Sequence, residues 1–336
     1  MALMFQRNPR YVLLVVVICA ITFLLFTHSN FGLAELPVDV SGLPNDPSLP
    51  ARIARSERMY QKTLEKRQEL IKKHGPTPER VVMFPPDKDP WPAYTAWDFF
   101  PPTFDCPHDL ERIGSAGDGG KWICGLSRLE DKPNCVIYTF GVDWDSSFEG
   151  EVLSRTRHCE IWGHDALHTG FGHQIPKDLK HRTHFAQLQL GPKDSHGPDD
   201  TPKIWTLQSL MRQNGHKHID ILKIDIEGWE FDTLRSIVQT FLDWETPLPF
   251  GQLQMEIHAW NKKFPDFLNW FEFLESAGLR PFMSAPNLVY VNYNRQSGAE
   301  LVDYSFLNIK GQNVFVSQPS LEDHTRDGVH TQIPDV

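Results

Sequence analysis

The stretch Ile219-Asp220-Ile221-Leu222-Lys223-Ile224-Asp225-Ile226-Glu227-Gly228-Trp229-Glu230 decides the fold. An apolar run closes on two alternating carboxylates and a glycine, then passes straight into the helical pattern of residues 231–242. That order predicts a buried parallel strand ending at a site. Ligands of open α/β sheets bind at the carboxyl ends of such strands, so Asp225 and Glu227 are expected on a pocket floor.

Working outward, strands and helices alternate from about Phe104, which predicts a Rossmann-like, mostly parallel sheet with helices on both faces. The expected core strands are residues 135–142, 160–164, 184–190, 219–226 and 252–258. Helices are expected over residues 149–157, 205–214 and 267–277, the last closed by Gly278. Residues 304–309 and 314–317 are expected to form the last strand pair.

The N-terminus carries a different signal. Residues 11–26 are a nearly uninterrupted apolar run, preceded by Arg7 and Arg10 and followed by no Lys or Arg until Arg52. The charge bias predicts a cytosolic tail over 1–10, a signal-anchor helix over 11–28 and a lumenal remainder, a single-pass type II arrangement in the Golgi or ER. Secretion after cleavage of a signal peptide is the alternative, with small residues near Gly32 to Ala34. A stem follows over 29–103, with a solvated basic helix at about 52–73 and then a Pro and aromatic segment. The catalytic domain is expected over 104–318, with a flexible tail over 319–336.

Composition narrows the function class. The net charge of −10, with no basic patch interleaved with aromatics in the folded region, argues against nucleic acid and favours a small or neutral acceptor. Outside the apolar run stand four cysteines, an even number suited to an oxidising lumen. They can pair in three ways. A bridge between Cys106 and Cys124 would flank a glycine-rich loop, whereas Cys135 and Cys159 begin the first two core strands and serve equally well as buried thiols. Nothing in the chain fixes an oligomeric state.

Chemistry-bearing residues cluster in four places. The strand at residues 136–140 runs into a turn at Gly141 and then a helix start near Phe148 and Glu149, a place where backbone approaches a ligand closely. The three-glycine dinucleotide fingerprint is absent, which disfavours NAD and FAD. Asp165 follows the second strand, the position from which a carboxylate binds ribose hydroxyls. Upstream, Arg112-Ile-Gly-Ser-Ala-Gly117-Asp118-Gly119-Gly120-Lys121-Trp122 packs glycines around an acid, a base and an aromatic; it also reads as a plain hairpin turn.

In this order, Asp-Gly-Gly-Lys-Trp, Phe140-Gly141 with Phe148-Glu149, Asp165 and Lys223-Ile-Asp225-Ile-Glu227-Gly228, the chain resembles the FkbM-like S-adenosylmethionine-dependent methyltransferases across roughly residues 106–316. More narrowly it is similar to their membrane-anchored eukaryotic relatives, the methyltransferase-like type II proteins. The resemblance implies a class I methyltransferase fold and S-adenosylmethionine as cofactor. It places Asp118, Phe140, Gly141, Phe148 and Glu149 at the cofactor and Asp165 on its ribose. Two features depart from the common pattern: the glycine-rich first motif is reduced to Gly141, and the residue before the ribose acid is His164.

Methyl transfer to oxygen needs in-line positioning and a group that accepts a proton. Strand alternation sends Asp225 and Glu227 to one face, and likewise Glu256 and His258, so these four are the catalytic candidates. Asp225 and Glu227 are also candidates to hold a divalent cation that orients a sugar diol. The expected acceptor is a hydroxyl of a glycan or a small secreted metabolite. Two other functions fit parts of the chain: a type II glycosyltransferase using Asp143-Trp144-Asp145 with a metal, and a non-catalytic interaction domain of the same fold.

Overall fold

The computed structural model describes residues 46–86, 89–90, 94–293 and 298–317. The expected cytosolic tail, the anchor, the first part of the stem and the C-terminal tail lie outside the described residues. Among the described residues no helix is long and apolar enough to cross a membrane.

In chain order, helix α1 (Leu49–His74) precedes a hairpin of β1 (Leu110–Ile113) and β2 (Lys121–Cys124). Then come β3 (Val136–Phe140), α2 (Ser147–Arg155), β4 (Glu160–Asp165), β5 (Thr183–Gln187), the short β6 (Gln189–Leu190) and β7 (Ile204–Trp205), and α3 (Leu207–Asn214). The second half comprises β8 (Ile219–Ile224), α4 (Glu230–Asp243), β9 (Phe250–His258), α5 (Phe264–Ser276), β10 (Leu279–Pro286), α6 (Leu288–Tyr293) and β11 (Leu301–Asn308).

Seven strands form one sheet in the order β10-β11-β9-β8-β3-β4-β5. The five from β9 to β5 are parallel, and β11 runs antiparallel between β9 and β10. Every residue of β8 is buried, Asp220 and Lys223 included, which is why its apolar residues fall on both faces rather than in alternation. Alternate residues of the central strands feed two cores. Tyr138, Leu222 and Leu253 pack with α3, α4 and α5 on one side, while Ile137 and Ile221 pack with α2 and the β1–β2 hairpin on the other.

Connections leave β3 towards β4 on one side and β8 towards β9 on the other, so the strand order reverses between β3 and β8. Phe140 pairs with both His164 and Ile224, and Ile224 pairs with Met255. The residues just beyond this rung, Gly141, Asp165 and Asp225, therefore share the carboxyl rim above the reversal, where open sheets bind ligands.

Three expectations need correction. Residues 314–317 form a turn, not a strand; β11 pairs instead with Leu279–Pro286, from Leu279 opposite Asn308 to Pro286 opposite Val302. Pro281 and Pro286 disguise that segment, and they are tolerated because β10 is the sheet edge, with a register shift after Pro281. Secondly, α1 is no solvated stem helix. It buries Leu49, Ser56, Tyr60, Thr63, Arg67 and Ile71 against the domain, and Arg67 donates to both oxygens of Glu275 at 2.8 and 2.7 Å. Half of that stripe is polar, so hydropathy alone cannot detect it. Thirdly, the catalytic domain does not begin at 104: α1 belongs to the same compact unit, as do Val81, Met83, Ala96, Phe99 and Phe100, all in its core.

Both cysteine pairs are bridged, Cys106 to Cys124 and Cys135 to Cys159. The second ties the entry of β3 to that of β4.

Candidate active site

A cavity of about 890 Å³ opens above the carboxyl ends of β3, β4, β8 and β9. One half is bounded by Phe140, Gly141, His164, Asp165, Leu188 and Leu190, the other by Asp225, Glu227, Glu256 and His258.

In the first half the β3 turn passes close under the β8 loop. Gly141 has φ +74°, and a Cβ there would lie 1.8 Å from the Asp225 carbonyl oxygen, so only glycine fits. The Gly141 N–H donates to the His164 carbonyl, and the Asp225 N–H to that of Phe140. Asp165 is held by its own turn: Oδ1 accepts from the Leu167 and His168 backbone N–H groups at 2.7 and 2.8 Å, and among the described residues Oδ2 accepts only from the Asp143 N–H at 3.3 Å. Desolvation acts against the Asp165 carboxylate, but these backbone donors outweigh it and hold its pKa below the usual range. His164 stacks on Phe140 with ring centroids 4.7 Å apart, and its buried Nδ1 makes no hydrogen bond among the described residues. Burial pushes this imidazole down to about 4, so it is neutral.

The second half centres on His258, which is 1% exposed. Its Nδ1 bonds Oε1 of the fully buried Glu230 at 2.9 Å, and the same oxygen accepts from the Ile226 and Gly228 N–H groups. Nε2 faces Asp225 Oδ1 at 3.9 Å, Glu227 Oε2 at 3.7 Å and Glu256 Oε2 at 3.7 Å. Glu227 reaches this place from a left-handed backbone, φ +53°, with Gly228 following at +94°. Burial opposes the His258 imidazolium, yet the hydrogen bond and charge of Glu230, with Asp225 and Glu256, lift its pKa to about 9. Burial pushes Asp225 up to about 6, against the pull of Lys121 and His258. Glu256 rises to about 8 through burial and the neighbouring charge of Asp225.

Asp225, Glu227, Glu256 and His258 thus converge. Several other expected site residues stand elsewhere. Phe148 and Glu149 do not line the cavity: both are fully buried, Phe148 in a core and Glu149 paired with Lys223 at 3.2 Å. The first turn of α2 directs Glu149 back onto the sheet. Asp118 belongs to the second half, because Asn287 donates to Asp118 Oδ1 at 2.9 Å and to Glu256 Oε1 at 2.7 Å. Asp143 and Asp145 do not form a metal-binding pair. Asp145 accepts from the Ser147 N–H and Ser115 Oγ and so fixes the hairpin loop, while Asp143 lies against His168.

Sequence reasoning missed Asn287 and the pair of Lys121 with Asp303, 2.7 Å apart beside this centre. Lys121 and Asp303 were hinted at only as charged residues inside strands, and Asn287, between β10 and α6, carried no such signal. Glu230 entered only as the last residue of the central stretch, and a carboxylate at a helix start was the available signal.

A family model described as a methyltransferase domain matches residues 55–304, well over half of the 336-residue chain. The chain belongs to this methyltransferase family. It is accordingly an S-adenosylmethionine-dependent methyltransferase, and the matched span takes in most of α1, in keeping with the docked helix. No curated protein matches the sequence. Similar solved structures include a fibrillarin pre-rRNA processing protein of Methanococcus jannaschii, 10% identical over 60% of this chain and 83% of that one, TM-score 0.30. A precorrin-6y C5,15-methyltransferase of Geobacter metallireducens is 11% identical over 55% and 84%, TM-score 0.29. The methyltransferase FkbM of Methylobacillus flagellatus is 12% identical over 52% and 43%, TM-score 0.31.

The first half of the methyltransferase cavity fits the cofactor. It combines an apolar slot at Leu188 and Leu190, a carboxylate with one oxygen scarcely used, and an unbonded buried nitrogen on His164.

Proposed function

We propose that this methyltransferase transfers a methyl group to a hydroxyl of a glycan or a small secreted metabolite, in the lumen of the secretory pathway, as a membrane-anchored FkbM-like enzyme. The observation that carries the reading is the single cavity in which Gly141 and Asp165 stand opposite Asp225, Glu256 and His258.

S-adenosylmethionine, when bound, supplies an electrophilic methyl group on a sulfonium that departs as a neutral thioether. Asp165 Oδ2 would hold the ribose hydroxyls, the Gly141 turn the methionine part, and Leu188 and Leu190 the adenine. Glu256 is the base: Asn287 fixes one of its oxygens and the other faces the cavity centre, where it takes the proton of the acceptor hydroxyl. The carboxylate-rich floor favours a neutral acceptor over an anionic one. Trp229, Trp260 and Tyr290 border the cavity and offer ring faces to a sugar. Two disulfides support an oxidising compartment, and the apolar run of residues 11–26 supports the anchor.

The test is binding and transfer with the purified full chain. S-adenosylmethionine should bind, Asp165→Ala should weaken that binding at least tenfold, and labelled methyl should appear on a saccharide or polyol hydroxyl. Label found only on amino groups overturns the hydroxyl assignment. Protease protection of the C-terminal region in sealed microsomes checks the topology; digestion without detergent refutes it.

A further inference from the structure

We infer that Asp225, Glu227 and His258 bind one divalent first-row cation, of the Mn²⁺ kind, which receives the acceptor hydroxyl. What the cation does rests on the methyl-transfer reading; its binding does not.

One ligand atom from each of the three residues lies within 4.8 Å of the other two. The distances from His258 Nε2, 3.9 Å to Asp225 and 3.7 Å to Glu227, are too long for hydrogen bonds. They suit a shared ion: ligand atoms about 2.1 Å from one octahedral cation stand roughly 3.0–4.2 Å from each other. A second observation is independent of the acids. His258 is 1% exposed, and its Nε2, aimed into the cluster, makes no hydrogen bond among the described residues. Its other nitrogen is bound by the buried carboxylate of Glu230. That arrangement orients a ligating imidazole, and a cation would take the place on Nε2 that a proton otherwise holds.

Charge points the same way. Glu256 adds a third carboxylate around Nε2, while the nearby Lys121 has its own partner in Asp303. One imidazole with two carboxylates suits Mn²⁺ or Zn²⁺ better than Mg²⁺. Glu227, with its side chain 77% exposed, lies on the solvent side and gives the ion a way in. Three protein ligands leave positions for two adjacent hydroxyls, so the favoured acceptor is a vicinal diol. The cation weakens the acceptor O–H bond, and Glu256 takes the proton. The oxygen lone pair then forms the new C–O bond as the C–S bond breaks, with its electron pair remaining on sulfur.

The full-length chain, titrated with Mn²⁺ and followed by EPR, should bind one ion and show nitrogen coupling from a histidine in pulsed spectra. Glu230→Gln and the exposed Glu227→Gln should each raise the Mn²⁺ dissociation constant about 10–100-fold, and His258→Ala should abolish the nitrogen coupling. No uptake of Mn²⁺ or Zn²⁺ at millimolar concentration, absent nitrogen coupling, or an unchanged Glu227→Gln overturns the site. S-adenosylmethionine binding, measured on the same sample, separates the two ideas. If it persists without cation uptake, only the cation site falls; if the cation binds and S-adenosylmethionine does not, the methyl-transfer reading falls.

Discussion

Glu149 and Lys223 face each other with side chains 0% and 6% exposed, beneath the loop that carries Gly141. Removing one member of such a pair leaves the other charge buried without a partner. Glu149→Ala is therefore expected to cost about 3–5 kcal/mol in chemical denaturation, much of a typical domain's stability. A loss below about 1 kcal/mol would show that Lys223 finds water there. His164 gives a pH-dependent counterpart. The unfolded imidazole takes up a proton near 6.5, whereas burial holds the folded one down to about 4. Falling pH through that window favours the unfolded chain, and the histidine withdraws roughly 3 kcal/mol at most. His164→Phe, which keeps the stack on Phe140, should flatten the stability curve between pH 6.5 and 4. An unchanged slope would place the acid sensitivity elsewhere.

At the scale of elements, α1 is held by a polar seam as well as by its buried apolar residues. Arg67 bonds Glu275 with two nitrogens and the Phe99 carbonyl with a third, Tyr60 also donates to Glu275, and Arg280 pairs with Glu57 at 2.7 Å. Arg67→Ala leaves a buried carboxylate on α5 and is expected to cost about 3–5 kcal/mol. Hydrogen exchange should quicken across residues 49–74 before it does in the sheet; uniform protection of α1 in the variant would contradict the docking role. The β1–β2 hairpin behaves alike. Its Lys121 reaches Asp303 of β11, and Gln252 of β9 accepts from the Cys124 N–H at 3.1 Å, so β2 also covers polar positions that β9 and β11 present on that face.

For the whole molecule, the two disulfides close loops of 18 and 24 residues' separation. Each should contribute about 3 kcal/mol by limiting the unfolded chain. Thermal melts with and without reductant should differ by many degrees, with the larger loss in the double Cys→Ser chain than in either single bridge variant. Equal midpoints would deny the bridges a stabilising role. The same bridges link the hairpin segment to its own base and the two strands that carry Gly141 and Asp165 to each other. Reduction is thus expected to weaken cofactor binding along with the fold.

The sequence by itself determined the alternation of elements, the central strand, expected over 219–226 and found over 219–224, and the rim positions Gly141, Asp165 and Asp225, because burial on both faces and turn chemistry are local in the chain. It also placed Glu256 and His258 on one face, since alternation needs only a strand. Tertiary structure alone decided what no local pattern encodes. Arg67 looks solvated until Glu275, some two hundred residues away, supplies its partner, and Thr63 until Thr103 does. Proline hides the edge strand at residues 279–286 until β11 pairs with it. Glu149 and Asp118 took other partners than expected, Lys223 and Asn287, because the direction of a side chain follows from how its element docks. The stretch Ile219 to Glu230 shows both limits. Its two acids announced a site, while the carboxylate that fixes His258 was Glu230, and only the folded chain brought them within 2.9 Å.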